Sequence, residues 1–260
     1  MNIVVLIKQV PDTSEIKINF ETGTLIREGV KSIMNPDDRA GLEEALKIKD
    51  ETGAKVTVLS MGPKQAEMII REAMAMGADD GYLVSDPRFA GADTWATSST
   101  IAAALNEIGF DLIIAGRQAI DGDTAQVGPQ VAEKLKIPQV TYVEEILEVN
   151  KDSVVVKRQF EDFYQIIEVQ LPCVLTTLVE MNWPRFMSTW GIVNAFEREI
   201  KTLTLKDISV DPENIGLQGS PTQVKKTFTK DEKAKAELYE GTPRDAAMII
   251  ARELKEQNII

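Results

Sequence analysis

Short apolar runs alternate with longer segments of helical spacing over the first half of the chain, up to about Leu135. Four of these runs are rich in β-branched residues and end at polar or glycine-containing stretches, a pattern typical of buried strands. The predicted strands are Ile3–Ile7, Val56–Ser60, Tyr82–Val84 and Leu112–Ala115.

The segments between these strands carry the start and stop signals of helices. A polar capping residue or a proline stands at each start, and a glycine closes most of the ends. In the first helix, Asp37 and Asp38 fall in the opening turn, where the helix dipole favours acidic side chains. We predict helices from Asn35-Pro36 to about Glu51, from Gly62-Pro63 to Gly77, from Asp93 to Ile108 and from Asp123 to about Leu135.

Strands that alternate with helices form βαβ units, so the pattern predicts an α/β fold with a doubly wound, mostly parallel sheet. Residues 13–33 and 140–179 predict β hairpins and strands that cover or extend an edge. We place this domain over residues 1–200. Ligands of such sheets bind at the carboxyl ends of the strands. Those ends are Lys8-Gln9, Met61-Gly62, residues 85–93 and Gly116-Arg117.

Residues 201–260 predict an extended C-terminal arm followed by a helix. Prolines, glycines, lysines and threonines interrupt the first part, which shows no sustained periodicity. Thr242 is a helix cap and Pro243 takes the first helical position. Ala247, Ile250, Ala251 and Leu254 then share one face. Spacing alone leaves open whether that face packs on this chain or on a partner.

Composition narrows the chemistry that the chain can perform. The 260 residues carry a formal net charge of −12 and include no histidine. The acidic balance argues against nucleic acid, because phosphate backbones are held mainly by Lys and Arg. Without histidine, Ser-His-Asp and Cys-His catalysis are excluded. We therefore assign no catalytic residue and no metal site, and expect a cofactor to carry any difficult chemistry.

The apolar runs and the single cysteine bear on where the protein works. No run approaches the roughly 18 apolar residues that predict a membrane span. The N-terminal residues lack the charged and small-residue features of a signal peptide. Cys173 lies in a strand-like apolar run and is expected to be a buried small hydrophobe, which fits a reducing compartment. We expect a cytoplasmic protein.

The strongest candidate site is the stretch GRQAIDGDTAQVGP, which begins at Gly116 between a predicted strand and a predicted helix. Gly116 and Gly122 let the backbone come close to a ligand, and Asp123 and Gln126 have the spacing of a capping box. The free N–H groups of the first helical turn could hold a phosphate, and Asp121 could accept ribose hydroxyls. A glycine-rich turn before a well-capped helix is the alternative, because neither GxGxxG nor GxxxxGK[ST] occurs.

A second candidate site is GADTWATSS, which begins at Gly91. With Asp93 as the cap, the hydroxyls of Thr94, Thr97 and Ser98 recur at helical spacing and share one face. A helix N-terminus with three hydroxyls suits a pyrophosphate. Ser and Thr are also common near helix starts for structural reasons, so both interpretations stay open.

An aromatic segment, WPRFMSTWGIVNAF, begins at Trp183. It holds two of the three tryptophans and two of the eight phenylalanines, and Pro184 and Gly191 interrupt it. Aromatic clusters usually belong to a core, but they also form exposed docking surfaces. The residues alone do not separate these alternatives.

Six motifs, in their order along the chain, resemble one known family. They are KQVPDT from Lys8, NPDD from Asn35, AMAMGAD from Ala73, AGRQAIDGDTAQVGP from Ala115, NWPR from Asn182 and GLQGSPT from Gly216. Together they resemble the beta subunit of electron-transferring flavoproteins. The resemblance covers nearly the whole chain, and the stretch from Ala115 is its most specific part.

The resemblance implies the small subunit of a heterodimer whose large subunit holds a redox-active FAD. The small subunit binds an adenine nucleotide in its Rossmann-like domain. That nucleotide is a structural AMP in the conventional branch and a second FAD in the bifurcating branch of anaerobic metabolism. In the bifurcating branch NADH is the electron donor. One electron passes to an acyl-CoA dehydrogenase and the other to ferredoxin or flavodoxin.

GADTWATS and DGDTAQVG resemble the bifurcating branch, so the resemblance implies FAD, with AMP as the alternative. The family's nucleotide contacts fall on Leu6, Asn35–Asp38, Met61 and Gly116–Val127, in agreement with the strand ends. The candidate cofactor-binding residues are Leu6, Lys8, Asn35, Asp38, Met61, Asp93, Thr94, Thr97, Ser98, Gly116, Arg117, Gln118, Asp121, Gly122, Asp123, Thr124, Gln126 and Val127.

By the same resemblance, the segment at about 183–197 is a recognition loop that docks onto partner dehydrogenases. The leucine that often anchors this loop is replaced here by Thr189-Trp190, so Trp190 or Ile192 would take its place. Residues 201–260 resemble an arm that wraps around the large subunit. The candidate docking residues are Trp183, Arg185, Phe186, Met187, Trp190, Ile192 and Phe196.

Overall fold

The structure, a computed structural model, describes residues 1–12, 17–19, 24–26, 31–223 and 241–260. The chain divides into two compact units, Met1–Lys225 and Lys226–Ile260. The sequence pattern predicts that the arm starts at residue 201, but the first unit continues to Lys225. It does so because residues 201–203 pair with the sheet edge, although they are too short and polar to carry a strand signal.

A nine-stranded sheet, with the order β11-β10-β9-β12-β8-β1-β6-β7-β13, forms the centre of the first unit. The seven strands from β9 to β13 in this order pair in parallel, and β10 and β11 extend the sheet beyond β9 by antiparallel pairing. Two small hairpins pair β2 with β5 and β3 with β4. The strands are β1 (Asn2–Leu6), β2 (Gln9–Pro11), β3 (Lys17–Asn19), β4 (Thr24–Ile26), β5 (Ser32–Met34), β6 (Lys55–Met61), β7 (Asp80–Val84), β8 (Leu112–Gly116), β9 (Gln139–Val149), β10 (Ser153–Gln159), β11 (Tyr164–Gln170), β12 (Cys173–Thr177) and β13 (Lys201–Leu203).

Helices cover both faces of this sheet, which explains why the central strands are apolar throughout. Along β1, Ile3 and Val5 pack in one buried cluster and Val4 and Leu6 in the other. Helices α1 and α2 contribute to the first cluster, and α3 and α4 to the second. The helices are α1 (Pro36–Thr52), α2 (Glu67–Met76), α3 (Thr94–Ile108), α4 (Val127–Leu135), α5 (Thr189–Glu197) and α6 (Pro243–Glu256).

The predicted α/β class and the four predicted central strands are confirmed, within one or two residues at their ends. Residues 140–179 contribute β9, its antiparallel extension and β12, as the hairpin pattern indicated. Of residues 13–33, the described parts are β3, β4 and residues 31–33, and the rest of that prediction lies outside the described residues. Helix α6 begins as predicted, with the Thr242 hydroxyl oxygen accepting from the Asp245 N–H.

One predicted helix cap is confirmed in position and another is wrong. Asn35 takes the N-cap position of α1 with Pro36 next to it, as predicted, although its side chain makes no cap hydrogen bond. Asp123 does not cap α4, which begins at Val127. A helix that started at Asp123 would place Pro129 beyond its first turn, where the missing N–H and the ring clash would break it. Starting at Val127 keeps Pro129 in the first turn, so this proline determines where α4 begins.

The aromatic segment after Trp183 contains a helix that its interruptions had concealed. Helix α5 is capped by Ser188, whose hydroxyl oxygen accepts from the Gly191 N–H at 2.9 Å. Gly191 lies inside this helix. Only glycine fits there, because a Cβ at this position would collide with the carbonyl oxygen of Ala75. The glycine therefore allows α5 to approach α2 closely instead of breaking the helix.

Candidate functional site

A cavity of about 850 Å³ lies at the carboxyl ends of β1, β6, β7 and β8. Its floor is apolar, and its rim consists of the loop after β8, the loop after β7 and the first turn of α3. The position follows from topology, because helices on opposite faces leave a crevice where parallel strands end. The floor residues are Leu6, Leu59, Val84, Phe89, Ile101 and Ala115.

Most of the predicted cofactor-binding residues line this cavity, whereas Asn35, Ser98 and Asp121 do not. The structure thus brings together three segments that are far apart in the sequence. The predicted residues that line the cavity are Leu6, Lys8, Asp38, Met61, Asp93, Thr94, Thr97, Gly116, Arg117, Gln118, Gly122, Asp123, Thr124, Gln126 and Val127.

Asn35 and Asp38 hold the loop after β8 by bonding to its backbone. The Asn35 side chain accepts from the Ile120 N–H at 3.1 Å and donates to the Gln118 carbonyl oxygen at 2.8 Å. Asp38 accepts from the N–H of Gly116 at 3.1 Å and that of Lys8 at 2.7 Å. The ends of β1 and β8, and the loop that follows β8, are therefore hydrogen-bonded to the start of α1.

Asp37 completes this arrangement from the other side. Its carboxylate accepts from the N–H groups of Gln118 at 3.3 Å and Val179 at 3.1 Å. Asp37 and Asp38 lie in the first turn of α1, as the sequence predicts from their charge. The structure buries both, and burial raises the pKa of Asp37 and raises that of Asp38 to about 7. Hydrogen bonds to backbone donors oppose this rise without cancelling it.

Gly116 is needed where the loop leaves β8. A Cβ at this position would meet the carboxylate and backbone nitrogen of Asp38 and the side chain of Asp37. Gly122, by contrast, has open space around the position of a Cβ. Close approach of backbone is therefore required at the first glycine of the motif and not at the second.

The middle of the loop is a tight turn instead of a capping box. The Asp123 N–H donates to the Ala119 carbonyl oxygen at 2.9 Å. Asp123 and Ala125 adopt left-handed backbone conformations, with φ of 48° and 52°. Such conformations cost about 1 kcal/mol in a residue that is not glycine. The Asp123 carboxylate accepts from the Gln118 amide at 2.9 Å, so it braces the turn.

The two cationic side chains at the rim already have acidic partners. Lys8 Nζ lies 2.7 and 2.9 Å from the two carboxylate oxygens of Asp121. Arg117 Nε lies 3.6 Å from Asp37 Oδ2, and its guanidinium stands 5.7 Å from the ring centre of Tyr142. Asp121 was expected to accept ribose hydroxyls, but its carboxylate is engaged by Lys8.

The first turn of α3 presents two of the three predicted hydroxyls to the cavity. Asp93 caps the helix by accepting from the Ala96 N–H at 3.0 Å, as predicted. Thr94 and Thr97 line the cavity. Ser98 is fully buried and donates to the Gln130 side chain at 3.0 Å. A helix turns about 100° per residue, so Ser98 points toward α4 instead.

One wall of the cavity contains lining residues that the sequence did not single out, although the strand-end rule marked the stretch 85–93. It is the loop after β7, and it includes Ser85, Asp86, Phe89 and Ala90. Asp86 accepts from Arg88 and from the Leu205 N–H at 3.2 Å, and these hydrogen bonds hold its pKa well below the usual range. The strand-end rule predicted the position of this loop. Its contact with Leu205, a distant residue in the chain, has no local signal in the sequence.

The predicted docking residues are exposed, except for Arg185. Arg185 forms two-pronged contacts with the buried carboxylate of Glu43 at 3.0–3.1 Å and also reaches Asp50 at 2.9 Å. It therefore fastens the segment to α1. Met187 and Ile192 are partly exposed. The strongly exposed side chains are Trp183 (96%), Phe186 (92%), Trp190 (75%) and Phe196 (69%).

Cys173 lies in β12 and is fully buried. Burial raises the pKa of its thiol to about 12, so the reactive thiolate is disfavoured. This confirms the prediction of a buried small hydrophobe. None of the helices in the described residues is long and apolar enough to cross a membrane.

The fold is that of a doubly wound α/β protein with a cavity at its strand ends, the place where such folds commonly bind small molecules. The family described as "Electron transfer flavoprotein domain" matches residues 22–208. The chain belongs to this electron transfer flavoprotein family, as its small, beta-type subunit, and takes part in electron transfer.

Similar curated proteins cover the chain from end to end. It is 54% identical over 260 residues to the electron transfer flavoprotein subunit beta of Clostridium acetobutylicum, with 100% of both chains covered. It is 53% identical to the caffeyl-CoA reductase-Etf complex subunit CarD of Acetobacterium woodii, again with 100% of both chains covered. It is 46% identical to the acryloyl-CoA reductase electron transfer subunit gamma of Anaerotignum propionicum, with the same coverage.

Proposed function

We propose that this chain binds FAD in the strand-end cavity as the small subunit of a bifurcating electron transfer flavoprotein. In the assembled heterodimer, which holds a second FAD in the large subunit, NADH is the electron donor. One electron goes to an acyl-CoA dehydrogenase and the other to ferredoxin or flavodoxin. The observation that carries the proposal is a single cavity that reaches both the loop after β8 and the first turn of α3.

The size of the cavity supports a dinucleotide over a mononucleotide. Its volume of about 850 Å³ lies toward the upper end of the roughly 300–1,000 Å³ range of small-molecule sites. An AMP held at the loop after β8 would leave the α3 wall without a ligand. AMP binding without NADH oxidation, as in the conventional branch, is the second candidate.

The donors around the cavity suit phosphates despite the charge of −12. Lys8 and Arg117 are paired with carboxylates, so backbone and hydroxyl donors would hold a pyrophosphate. The first turn of α3 has N–H groups without intrahelical partners, which favour anions. Thr94 and Thr97 add hydroxyls on the same wall. The apolar floor would bind a ring of the cofactor and exclude water from it.

The redox chemistry would be supplied by the flavin, which can accept a hydride and release electrons singly. The chain has no histidine, and its own side chains would bind, orient and shield the cofactor. Asn35 and Asp38 would act indirectly, because their polar atoms hold the loop backbone. Asp121 would reach a ribose only by releasing Lys8.

The partners follow from the exposed surface and from the names of the relatives. The tryptophans and phenylalanines of residues 183–196 would form the docking surface for an acyl-CoA dehydrogenase, as clustered exposed aromatics commonly do. Two relatives are named as parts of caffeyl-CoA and acryloyl-CoA reductase systems. The C-terminal residues that follow β13 would bind the large subunit. We expect the complex to be cytoplasmic.

Co-expression with the large subunit tests this function. We expect two FAD per heterodimer after acid release and chromatography, and rapid anaerobic bleaching of flavin absorbance by NADH. One FAD with one AMP, and no bleaching, would replace the proposal with the conventional function. Thr97→Val should lower the occupancy of the FAD bound by this chain, because Thr97 lines its cavity. Thr52→Val, whose hydroxyl bonds only within α1 and to Ala54, is the matched control.

A further inference from the structure

The cavity wall after β7 is fastened along its length to a distant segment, residues 201–222, which we call the strap. The strap begins as β13, which pairs with β7. Its Leu203 carbonyl oxygen accepts from Ser85 at 2.9 Å, and its Leu217 N–H donates to the Ala90 carbonyl oxygen at 3.0 Å. Successive contacts thus follow the wall from strand end to helix start.

The strap and the loop after β7 are closely packed. Gly91 and Gly216 both adopt positive φ values, 73° and 59°. A Cβ at Gly216 would collide with the Arg88 carbonyl oxygen, and one at Gly91 would lie 3.1 Å from the Leu217 side chain. Backbone meets backbone here, which glycine alone permits.

The strap also seals the floor of the cavity. Ile208 and Ile215 are buried in the same apolar cluster as the floor residues Phe89 and Ile101. Without the strap, one side of that cluster would face water. The wall and part of the floor therefore depend on a segment that does not itself line the cavity.

The last contacts of the strap converge on Asp93. The Asp93 N–H donates to the hydroxyl oxygen of buried Ser220 at 2.8 Å. The second carboxylate oxygen of Asp93 accepts from the Thr222 N–H at 3.0 Å and the Thr222 hydroxyl at 2.7 Å. The first carboxylate oxygen caps α3 through the Ala96 N–H. Asp93 is thus the joint between the strap and the helix start.

We infer that Ser220 and Thr222 are positioning residues of the nucleotide site, acting through Asp93. They hold the first turn of α3 against the cavity and turn the Asp93 carboxylate toward the strap. One carboxylate oxygen of Asp93 already accepts from the Ala96 N–H. Without Thr222, the other oxygen would be free to compete with a bound phosphate for the remaining N–H groups of the turn. Burial pushes the pKa of Asp93 upward, but the Ala96 and Thr222 hydrogen bonds outweigh it and keep the group ionised.

The inference rests on the proposed nucleotide site and predicts a phosphate-dependent defect. Thr222→Val keeps the shape of the side chain and removes the hydroxyl donor. Loss of one such hydrogen bond should weaken ADP binding by roughly threefold to tenfold. AMP binding should change less, because the α3 wall would hold the second phosphate. Thr222→Ser should restore the wild-type ratio of the two affinities.

The test is calorimetric titration of the full-length chain with ADP and with AMP. Thr204→Val is the matched control, because its hydroxyl bonds to Asp207 within the strap. Ser220→Ala should act like Thr222→Val. Thermal unfolding of each variant identifies any general loss of stability. Such a loss would weaken the binding of both ADP and AMP, and the Thr222→Ser variant would not restore it.

The outcomes separate the two proposals. A wild-type chain that binds neither ADP nor AMP would contradict the proposed function, and with it the inference. A wild-type chain that prefers ADP, together with a Thr222→Val variant that keeps the same preference, would overturn the inference alone. Loss of the preference in Thr222→Val and its return in Thr222→Ser would support both.

Discussion

At the residue scale, the polar side chains buried near the site act on backbone more than on solvent. Asn35 is fully buried and bonds to two backbone groups of a loop 83 and 85 residues away. A buried polar group is tolerable only when its hydrogen bonds are satisfied. Asn35 meets that condition through the loop, so loop order and helix position depend on each other.

Asn35→Ala should therefore loosen the loop after β8. It leaves the Gln118 carbonyl and the Ile120 N–H without their partners, at a cost of about 2 kcal/mol or more. Urea denaturation should show this loss, and ADP titration should show weaker binding. Asn106→Ala, on the exposed side of α3, is the control. Equal stability of the two variants would contradict the role given to Asn35.

Asp38 makes stability depend on pH near neutrality. Its folded pKa of about 7 lies above its ordinary value of 3.8, so between these values the folded state binds the proton more tightly than the unfolded state. The stabilisation is complete below the ordinary pKa and is lost as the pH rises through about 7. We expect the urea midpoint to fall over this window. Asp38→Asn should flatten the slope, and an unchanged slope would rule out Asp38 as its source.

At the element scale, apolar periodicity predicted the strands and helices of the core. It failed for elements whose formation depends on contacts with distant parts of the chain. β1, β6, β8 and α3 carry strong local patterns and were correctly predicted. β13 is short and polar, and it exists because it pairs with β7. The joining of Asp93 to Thr222, 129 residues away, likewise has no local signal.

The candidate site was predictable to the same extent. The strand-end rule and the glycine motif located the cavity, because both depend on the local order of strand, turn and helix. The partners of Asp121, Ser98 and Asn35 could not be predicted from spacing, because each contact joins separate elements. Sequence thus indicated where the site lies and not which side chains are free to bind.

The glycines of the loop after β8 provide a test at this scale. Gly116→Ala should destabilise the fold by about 1–3 kcal/mol, as overpacking does, because its Cβ would meet Asp38 and Asp37. Gly122→Ala should be close to neutral because nothing lies within 4 Å of its Cβ position. Thermal unfolding and nucleotide titration measure both effects. Equal behaviour of the two variants would contradict this description of the loop.

At the scale of the whole molecule, the cavity proposed to bind a nucleotide and the exposed aromatic segment proposed to dock a partner belong to separate parts of the first unit. The cavity lies at the strand ends beside α3. The docking surface is carried by residues 183–196, which Arg185 fastens to α1. We therefore expect substitutions in one to leave the other intact.

Trp190→Ala should slow electron transfer to the acyl-CoA dehydrogenase partner by about tenfold or more, as loss of an interface anchor does. Flavin content and reduction by NADH should stay unchanged. Stopped-flow mixing of reduced heterodimer with the dehydrogenase measures the rate. Phe163→Ala, an exposed aromatic on the β10–β11 hairpin, is the matched control. An equal effect of both variants would argue against a specific docking surface.

The place of β12 in the sheet bears on how the protein is made. β12 lies between β8 and β9 although it follows both in the chain. Thr177 at its end donates to the carbonyl oxygens of Asp37 and Ala115, at 3.2 and 3.1 Å. Pairing over such separations is slow. A nascent chain on the ribosome therefore cannot complete the support of the loop after β8 until residue 177 has emerged, so the proposed cofactor would be loaded late in synthesis or after it.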